Sequence, residues 1–304
     1  MASDSVKRLV IPAGKQGLVA FWDLAKVVAP LYLGIALLDY TGVVTAFARW
    51  LSPVMAIFRL PGEAAVPLLT GWFITLYGAL GAMKALGLKS AAMTTLGLML
   101  LICHVIPMEW AVLRKMGARA GRITLMRIAV SVLAGVACGL ISGGQGAVAH
   151  AQHHAAVAAH ALAPSAFAVK SLLGCAKLLG IVLAVIVPVT VISEWMRARE
   201  LLPRIARRLA FLPQRLGVGE GALVPLLIGL IFGIMYGAGA LIGLARSGAV
   251  KPGDARFVGL FLALCHSLLE DPALFIAAGG NWLWLLPGRI LIAFLLTPLL
   301  RRWA

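Results

Sequence analysis

The chain has 304 residues, of which 62% are hydrophobic and only 12% are charged, and its mean hydropathy is +0.98. Water-soluble domains do not have this balance, and several apolar runs reach the roughly 20 residues that a helix needs to cross a bilayer. The composition therefore excludes a soluble protein, and also a soluble body held by one anchor. It predicts an integral membrane protein whose main partner is the lipid bilayer.

The chain is strongly basic, with 27 Lys and Arg against 11 Asp and Glu, a net charge of +16. In a membrane protein such an excess sets orientation, because Lys and Arg in short loops stay cytoplasmic. We therefore expect no nucleic-acid partner. Residues 1–20 lack the compact apolar core and cleavage site of a signal peptide, and we interpret them as a cytoplasmic N-terminal segment.

Eight apolar stretches follow in chain order, and each is long enough for a helix or a helical hairpin. The first four are 22–46, 62–83, 90–113 and 122–142, and the last four are 171–194, 222–245, 257–279 and 284–300. Residues 143–168 separate the two groups. This segment is rich in Gly, Ala and His and contains no Lys or Arg, which is typical of an outer loop.

The two groups of stretches share landmarks in the same order. Val66-Pro67-Leu68-Leu69-Thr70-Gly71 returns as Val224-Pro225-Leu226-Leu227-Ile228-Gly229, Tyr77-Gly78-Ala79 as Tyr236-Gly237-Ala238, and Cys103-His104 as Cys265-His266. Gly62-Glu63 likewise returns as Gly219-Glu220, and over all these landmarks the offset drifts only from 157 to 162, which small loop insertions explain. The sequence therefore predicts a duplication, with membrane repeats at 21–142 and 169–304 joined by the His-rich outer linker 143–168.

Positive charge distinguishes two topologies. If all eight stretches cross the membrane, Lys and Arg show no preference for either side. If 62–83 and 222–245 are re-entrant hairpins, eighteen of these charges, including the cluster at 197–215, lie inside. Five lie outside, namely Arg49, Arg59, Lys84, Lys89 and Lys170. A hairpin limb of about ten residues rises ~15 Å, enough to reach the bilayer midplane.

The charge bias favours the hairpin topology. It predicts an all-α, polytopic membrane protein with two inverted repeats, each of about three transmembrane helices plus a re-entrant hairpin. The expected location is the inner (plasma) membrane, with both termini cytoplasmic. A parallel duplication with eight spans and no transport role is the alternative.

Ionisable residues occur at matching points of the two repeats. His104 is followed by Pro107, which should break the helix around 103–107, and then by Glu109. His266 precedes Glu270 and Asp271, so an intact helix would place His266 and Glu270 on one face. Charged groups inside a bilayer usually face a cavity, a partner or an ion path. We therefore expect a central substrate or ion site at a set of five residues: His104, Glu109, His266, Glu270 and Asp271. The alternative places the acids at the membrane interfaces and the histidines against freed backbone groups.

The linker contains His150 and His154, which are one helical turn apart and could share a metal, although unliganded histidines are common in such loops. Nucleotide-binding and nucleophile signatures are absent from the sequence. The prediction is therefore a protein that is not an enzyme and carries no cofactor.

The duplicated V-P-L-L-x-G segments and the later Cys-His segments resemble the nucleoside-recognition (Gate) family of integral membrane proteins. That family is similar to the membrane parts of ferrous-iron permeases and concentrative nucleoside transporters, and to spore-maturation membrane proteins. The resemblance implies handling of a small solute, with a nucleoside suggested by the family name. Unlike the ferrous-iron permeases, this chain carries no GTPase module.

Three functions follow from these observations. The first is a permease for a small polar solute, nucleoside-like and coupled to protons through His104 and His266. The second is a divalent metal permease of the ferrous-iron type, in which His and carboxylate ligands bind the ion. The third is a non-transporting scaffold of an envelope or sporulation-type complex. A homo-oligomer is compatible with each of them.

Overall fold

A computed structural model describes residues 2–142, 162–209, 211, 219, 223–248 and 252–300. Within these residues the secondary structure is helical and includes no β-strand. The candidate metal ligands His150 and His154, most of the predicted linker, and residues 301–304 lie outside the described residues.

The first half of the chain forms seven of the described helices. They are α1 (Ala2–Tyr40), α2 (Val43–Ala56), α3 (Ala65–Phe73), α4 (Leu76–Ala85), α5 (Ser90–Ile102), α6 (Ile106–Lys115) and α7 (Ala120–Ile141). The second half follows the same order. Its described helices are α8 (Pro164–Ala198), α9 (Leu201–Arg208), α10 (Leu223–Arg246), α11 (Pro252–Leu264), α12 (Asp271–Ala277) and α13 (Arg289–Leu300), the last preceded by a π-helical turn at Trp284–Gly288.

Four segments are long and apolar enough to span a bilayer, which confirms a multi-pass membrane protein. They are Val10–Tyr40, Ser90–Lys115, Ala120–Ile141 and Pro164–Ala198. Three shorter apolar helices, Val43–Ala56, Leu223–Ile234 and Trp284–Leu300, accompany them. The two halves are therefore unequal in helix length, although their described helices follow one order.

The long helices α1 and α8, which begin the two halves, pack side by side in opposite directions. Near one end of the pair, a Cβ on Gly17 would lie 3.0 Å from the Cα of Val187. At the other end the rings of Tyr40 and Phe167 stack with centroids 4.2 Å apart. Residue numbers rise along one helix as they fall along the other, so the packing is antiparallel.

The glycine-rich stretch of the first half is a pair of short helices. α3 ends at Phe73 and α4 begins at Leu76, and a Cβ on Gly71 would lie 3.1 Å from the Cβ of Ala79, so the two helices pack against each other. In the second half, α10 is interrupted at Gly233, whose φ of 75° and ψ of 162° are open to glycine but strained for other residues.

The two halves contact each other reciprocally. A Cβ on Gly97 of α5 would touch Phe275 and Leu285 of the second half, whereas one on Gly259 of α11 would touch Leu113 and Ile123 of the first half. Each residue of the second contact lies 162 positions from its counterpart in the first, the separation that also joins His104 and His266. The buried core of the described residues therefore includes side chains from both halves.

Candidate functional site

Both halves contain a break between two helices, and the breaks match in position. α5 ends at Ile102, Cys103 is extended, and Val105 has a φ of 41°. α11 ends at Leu264, and Ser267, 162 positions after Val105, has a φ of 52°. Pro107 and Pro272 then occupy the first turns of α6 and α12, where the missing N–H of proline costs no helical hydrogen bond.

The predicted break around 103–107 is confirmed. The expectation that His266 and Glu270 share a helical face is wrong, because α11 ends at Leu264 and the next helix begins at Asp271. In the sequence, only Pro272 indicates the second break. In the structure the helix ends earlier, and the backbone changes direction at Ser267, which has a positive φ.

Carbonyl groups of the glycine-rich stretches accept hydrogen bonds from backbone N–H groups at the two helix breaks. The N–H of Val105 donates to the carbonyl of Gly71 at 2.8 Å, and that of Ser267 donates to the carbonyl of Gly229 at 3.2 Å. Leaving such groups unpaired in an apolar interior would cost several kcal/mol each. The V-P-L-L-x-G landmark and the Cys-His landmark are thus parts of one arrangement in each half.

The two predicted histidines meet at the centre of the molecule. Nδ1 of each ring lies 2.7 Å from the carbonyl oxygen four residues earlier, Leu100 for His104 and Leu262 for His266. The two Nε2 atoms face each other at 3.4 Å, and both side chains are buried.

Glu109 brings a carboxylate to the histidine pair. Its Oε1 lies 3.4 Å from Nε2 of His104 and 3.8 Å from Nε2 of His266, while its Oε2 lies 2.9 Å from Nη1 of Arg127. Glu109 is 1% exposed and Arg127 is fully buried. The positive charge of Arg127 therefore compensates the negative charge of Glu109 at a site that water does not reach.

Asp271 is the counterpart of Glu109 in the second half, 162 positions later, and it is also buried. Its side chain is hydrogen-bonded with Ser267, and Glu270 accepts a hydrogen bond from the hydroxyl of Tyr77 in the first half. The described hydrogen bonds of Glu270 and Asp271 thus lead to other residues than the histidines. Three of the five predicted site residues, His104, Glu109 and His266, form one cluster. The other two, Glu270 and Asp271, lie at the second helix break, after His266.

Two buried arginines were not among the predicted site residues. Arg127 donates from Nε to the carbonyl of Ile102 at 3.1 Å, and Arg289 donates in the same way to Leu264 at 3.0 Å. Arg289 also donates from Nη1 to the carbonyl of His266 at 2.9 Å. Both arginines lie within apolar stretches at the 162-residue offset, and this pattern would have revealed them.

Two large cavities lie at opposite ends of the α1–α8 pair. One, of about 840 Å³, is lined by residues including Tyr32, Lys84, Lys89 and Lys170. The other, also of about 840 Å³, is lined by residues that include Gln16, Glu194, Glu200 and Glu270. Since Gln16 and Tyr32 are sixteen residues apart on α1, the cavities are separated by about 24 Å along the helix. Glu270 connects the second cavity to the second helix break.

Comparison with known proteins gives two matches. The family described as Nucleoside recognition, Gate, matches residues 21–119. The chain is also similar to a protein of Bacillus subtilis (strain 168) described as the uncharacterized membrane protein YvoD, with 31% identity over 299 residues that cover 96% of this chain and 94% of that one. No solved structure matches the chain.

Proposed function

Because this chain belongs to the Gate family of membrane proteins, a transporter-related family, we propose that it moves a small polar solute or ion across the plasma membrane. The observation that carries the proposal is the buried cluster of His104, Glu109 and His266 at paired helix breaks. We propose that this cluster is the central site, with Glu270 and Asp271 lining the path that leads to it.

The cost of the cluster supports a functional role. Charged groups in a membrane interior are expensive, and they are usually retained where they bind a substrate, an ion or a proton. Here Glu109 and Arg127 are both at least 99% buried. Apolar residues of similar volume would often be as stable as such a pair, so packing alone does not account for it.

The arrangement of the helices supports inverted repeats. α1 and α8 begin the two halves and run antiparallel, as corresponding helices do when one repeat enters the membrane from the opposite side. Broken helices at a repeat interface are a common construction of secondary transporters. We propose that the α3–α4 pair and α10 are the re-entrant hairpins, whose glycine carbonyls support the breaks.

The cavities support a route from both sides. Lys84, Lys89 and Lys170, which the charge count assigns to the outside, line one cavity, and Arg197, assigned to the inside, lines the other. We propose that they are the outer and cytoplasmic vestibules. Alternating access would then connect the central cluster to one vestibule at a time.

Uptake into liposomes tests the function. Purified protein is reconstituted, and the initial rates of entry of nucleosides and of divalent metal ions are measured separately, with and without a pH gradient. We expect flux of one class of solute. His104→Asn, His266→Asn and Glu109→Gln should each reduce that flux about tenfold or more, the loss typical of a disrupted site.

The matched control is Met108→Leu, which changes an exposed side chain beside Glu109. It should transport as the wild type does. If folded cluster variants transported as fast as Met108→Leu, the central site would be refuted. If the wild type moved no solute and instead co-purified with a stable partner, the scaffold hypothesis would replace the transporter.

Accessibility labelling tests the inverted topology. Single cysteines are placed at Lys89 and at Arg204, both exposed, in a chain whose four native cysteines are buried. A membrane-impermeant thiol reagent should label position 89 from outside the cell and position 204 only after permeabilisation. Labelling of both positions from the same side would contradict the inverted arrangement.

A further inference from the structure

We propose that Nε2 of His104, Nε2 of His266 and Oε1 of Glu109 bind one divalent transition-metal ion, such as Zn²⁺ or Fe²⁺. Metal binding is inferred from the three atoms themselves. That the ion is also the transported solute rests on the proposed function.

The tautomers of the two histidines follow from their hydrogen bonds. A carbonyl oxygen can only accept, so the 2.7 Å contacts to Leu100 and Leu262 require that Nδ1 of each neutral ring carries the hydrogen. Each Nε2 is then a bare lone pair. Metal-binding histidines are commonly oriented in this way, with the second nitrogen donating to a carbonyl or carboxylate.

Three electron-rich atoms therefore converge without a donor among them. The two Nε2 atoms are 3.4 Å apart, and Oε1 of Glu109 is 3.4 and 3.8 Å from them. Oε1 is buried and accepts no hydrogen bond within the described residues. Such a group of acceptors repels itself unless a cation lies between its members.

The spacing fits a metal ion. A triangle with sides of 3.4, 3.4 and 3.8 Å has its centre about 2 Å from each corner, and zinc bonds to imidazole nitrogen and carboxylate oxygen are about 2.0–2.2 Å long. Three protein ligands leave a coordination position open, as in zinc sites that exchange ligands. The gap between the three atoms accommodates an ion and is too small for a nucleoside.

Arg127 holds the carboxylate in place for this role. Its Nη1 lies 2.9 Å from Oε2 of Glu109, and its Nε is fixed on the carbonyl of Ile102. The carboxylate therefore turns Oε1 towards the histidines. Two imidazoles and one carboxylate are ligands that suit first-row transition metals better than Mg²⁺ or Ca²⁺.

The experiment measures metal binding directly, apart from transport. The chain has six histidines, four of which are in the linker, so all variants are made with His150, His153, His154 and His160 changed to Gln. Purified protein is stripped with a chelator and titrated with Co²⁺, read by its visible ligand-field absorption, and with Zn²⁺ by calorimetry. We expect one ion per chain and a rise in melting temperature on Zn²⁺ binding.

The matched variants are His104→Asn and His266→Asn, because the asparagine amide can still donate to Leu100 or Leu262 while the Nε2 ligand is lost. Each should weaken binding at least tenfold, as should Glu109→Gln, and the metal-free melting temperature shows whether the variant is folded. Undiminished binding by folded His104→Asn and His266→Asn proteins, or no binding by the protein that lacks only the linker histidines, overturns the proposal. Metal binding without flux of any solute would leave the site in place and refute the transporter, whereas nucleoside flux without metal binding would do the reverse.

Discussion

The break in the first half of the chain, at residues 103–105, brings a carboxylate to the paired histidines, whereas the break in the second half, at 265–270, does not. Glu109 reaches His104 and His266 and pairs with Arg127. Its counterpart Asp271 has one methylene fewer and is hydrogen-bonded to Ser267.

The matched arginines differ accordingly. Arg127 forms an ion pair with the carboxylate of Glu109, but Arg289 donates from Nη1 to the carbonyl oxygen of His266. The two matching breaks thus form one asymmetric cluster, in which the second half supplies a histidine and the first supplies a histidine and the acid. The two halves share the backbone geometry of the break, while the side chains that meet depend on side-chain length.

Replacement of the two arginines should give the largest difference in stability between the two halves. Arg127→Met leaves the buried Glu109 charge without a partner, and we expect a loss of about 3–5 kcal/mol in the free energy of unfolding. Arg289→Met loses hydrogen bonds to two neutral carbonyls, and we expect the smaller loss of about 1–3 kcal/mol. Unfolding in mixed micelles measures both.

Adding Glu109→Gln to each arginine variant shows whether the stability is lost through an uncompensated charge or through poorer packing. Glu109→Gln should recover part of the Arg127→Met loss and a smaller part of the Arg289→Met loss, because Arg127 forms the ion pair with Glu109 and Arg289 does not. Equal destabilisation by both arginine variants would contradict the asymmetric pairing.

The two matched acids should differ in transport. Glu109→Gln removes the carboxylate that faces the histidines and should reduce flux about 10–100-fold. Asp271→Asn changes a residue bonded to Ser267, and we expect a loss of less than about tenfold. Initial rates in liposomes provide the measurement, and equal losses would mean that both halves contribute an acid to the solute.

The hydrogen bond between Tyr77 and Glu270 joins the two halves. Tyr77→Phe removes a donor from the half-buried carboxyl of Glu270, and we expect a loss of about 1–3 kcal/mol in the free energy of unfolding. Tyr40→Phe is the control, because its hydroxyl donates to a neutral carbonyl, that of Leu162, and should contribute only about 0.5–1.5 kcal/mol. A larger effect at Tyr40 would argue against an important contact between the halves at Glu270.

The glycine contacts should respond equally, since here the halves match. A Cβ on Gly71 would meet the side-chain end of Leu100 and lie 3.1 Å from the Cβ of Ala79, and one on Gly229 would meet the side chain of Leu262. Because leucine methyl groups can shift, Gly71→Ala and Gly229→Ala should each cost about 1 kcal/mol. Gly34→Ala in α1, where the added Cβ meets nothing within 4 Å, serves as the control and should not destabilise. Unequal losses at 71 and 229 would indicate that the breaks are supported differently.

Much of the fold was predictable because it depends on local properties. The apolar stretches, the glycine-rich segments and the break before Pro107 follow from composition and from the proline ring. The second break was misread around His266 and Glu270, because nothing in the sequence requires a positive φ at Ser267. The linker histidines and the division into 21–142 and 169–304 remain predictions.

The site was predictable in part, and the missing part is informative. His104, Glu109 and His266 were identified from the repeat and from the cost of polar groups in a membrane. Arg127 and Arg289 were overlooked, since positive charges were counted only in loops. A search for matched charges inside the apolar stretches would have found both.

The sequence by itself determined that this chain is a multi-pass membrane protein whose two halves share short motifs and carry histidines at matching positions, because hydropathy, prolines and repeated motifs act over a few neighbouring residues. Only the tertiary structure decided that the two histidines face each other and that the carboxylate of Glu109, and not that of Asp271, closes the group. That choice depends on packing between segments 162 residues apart in the chain, where the length of one side chain and the direction of one guanidinium fix which atoms meet.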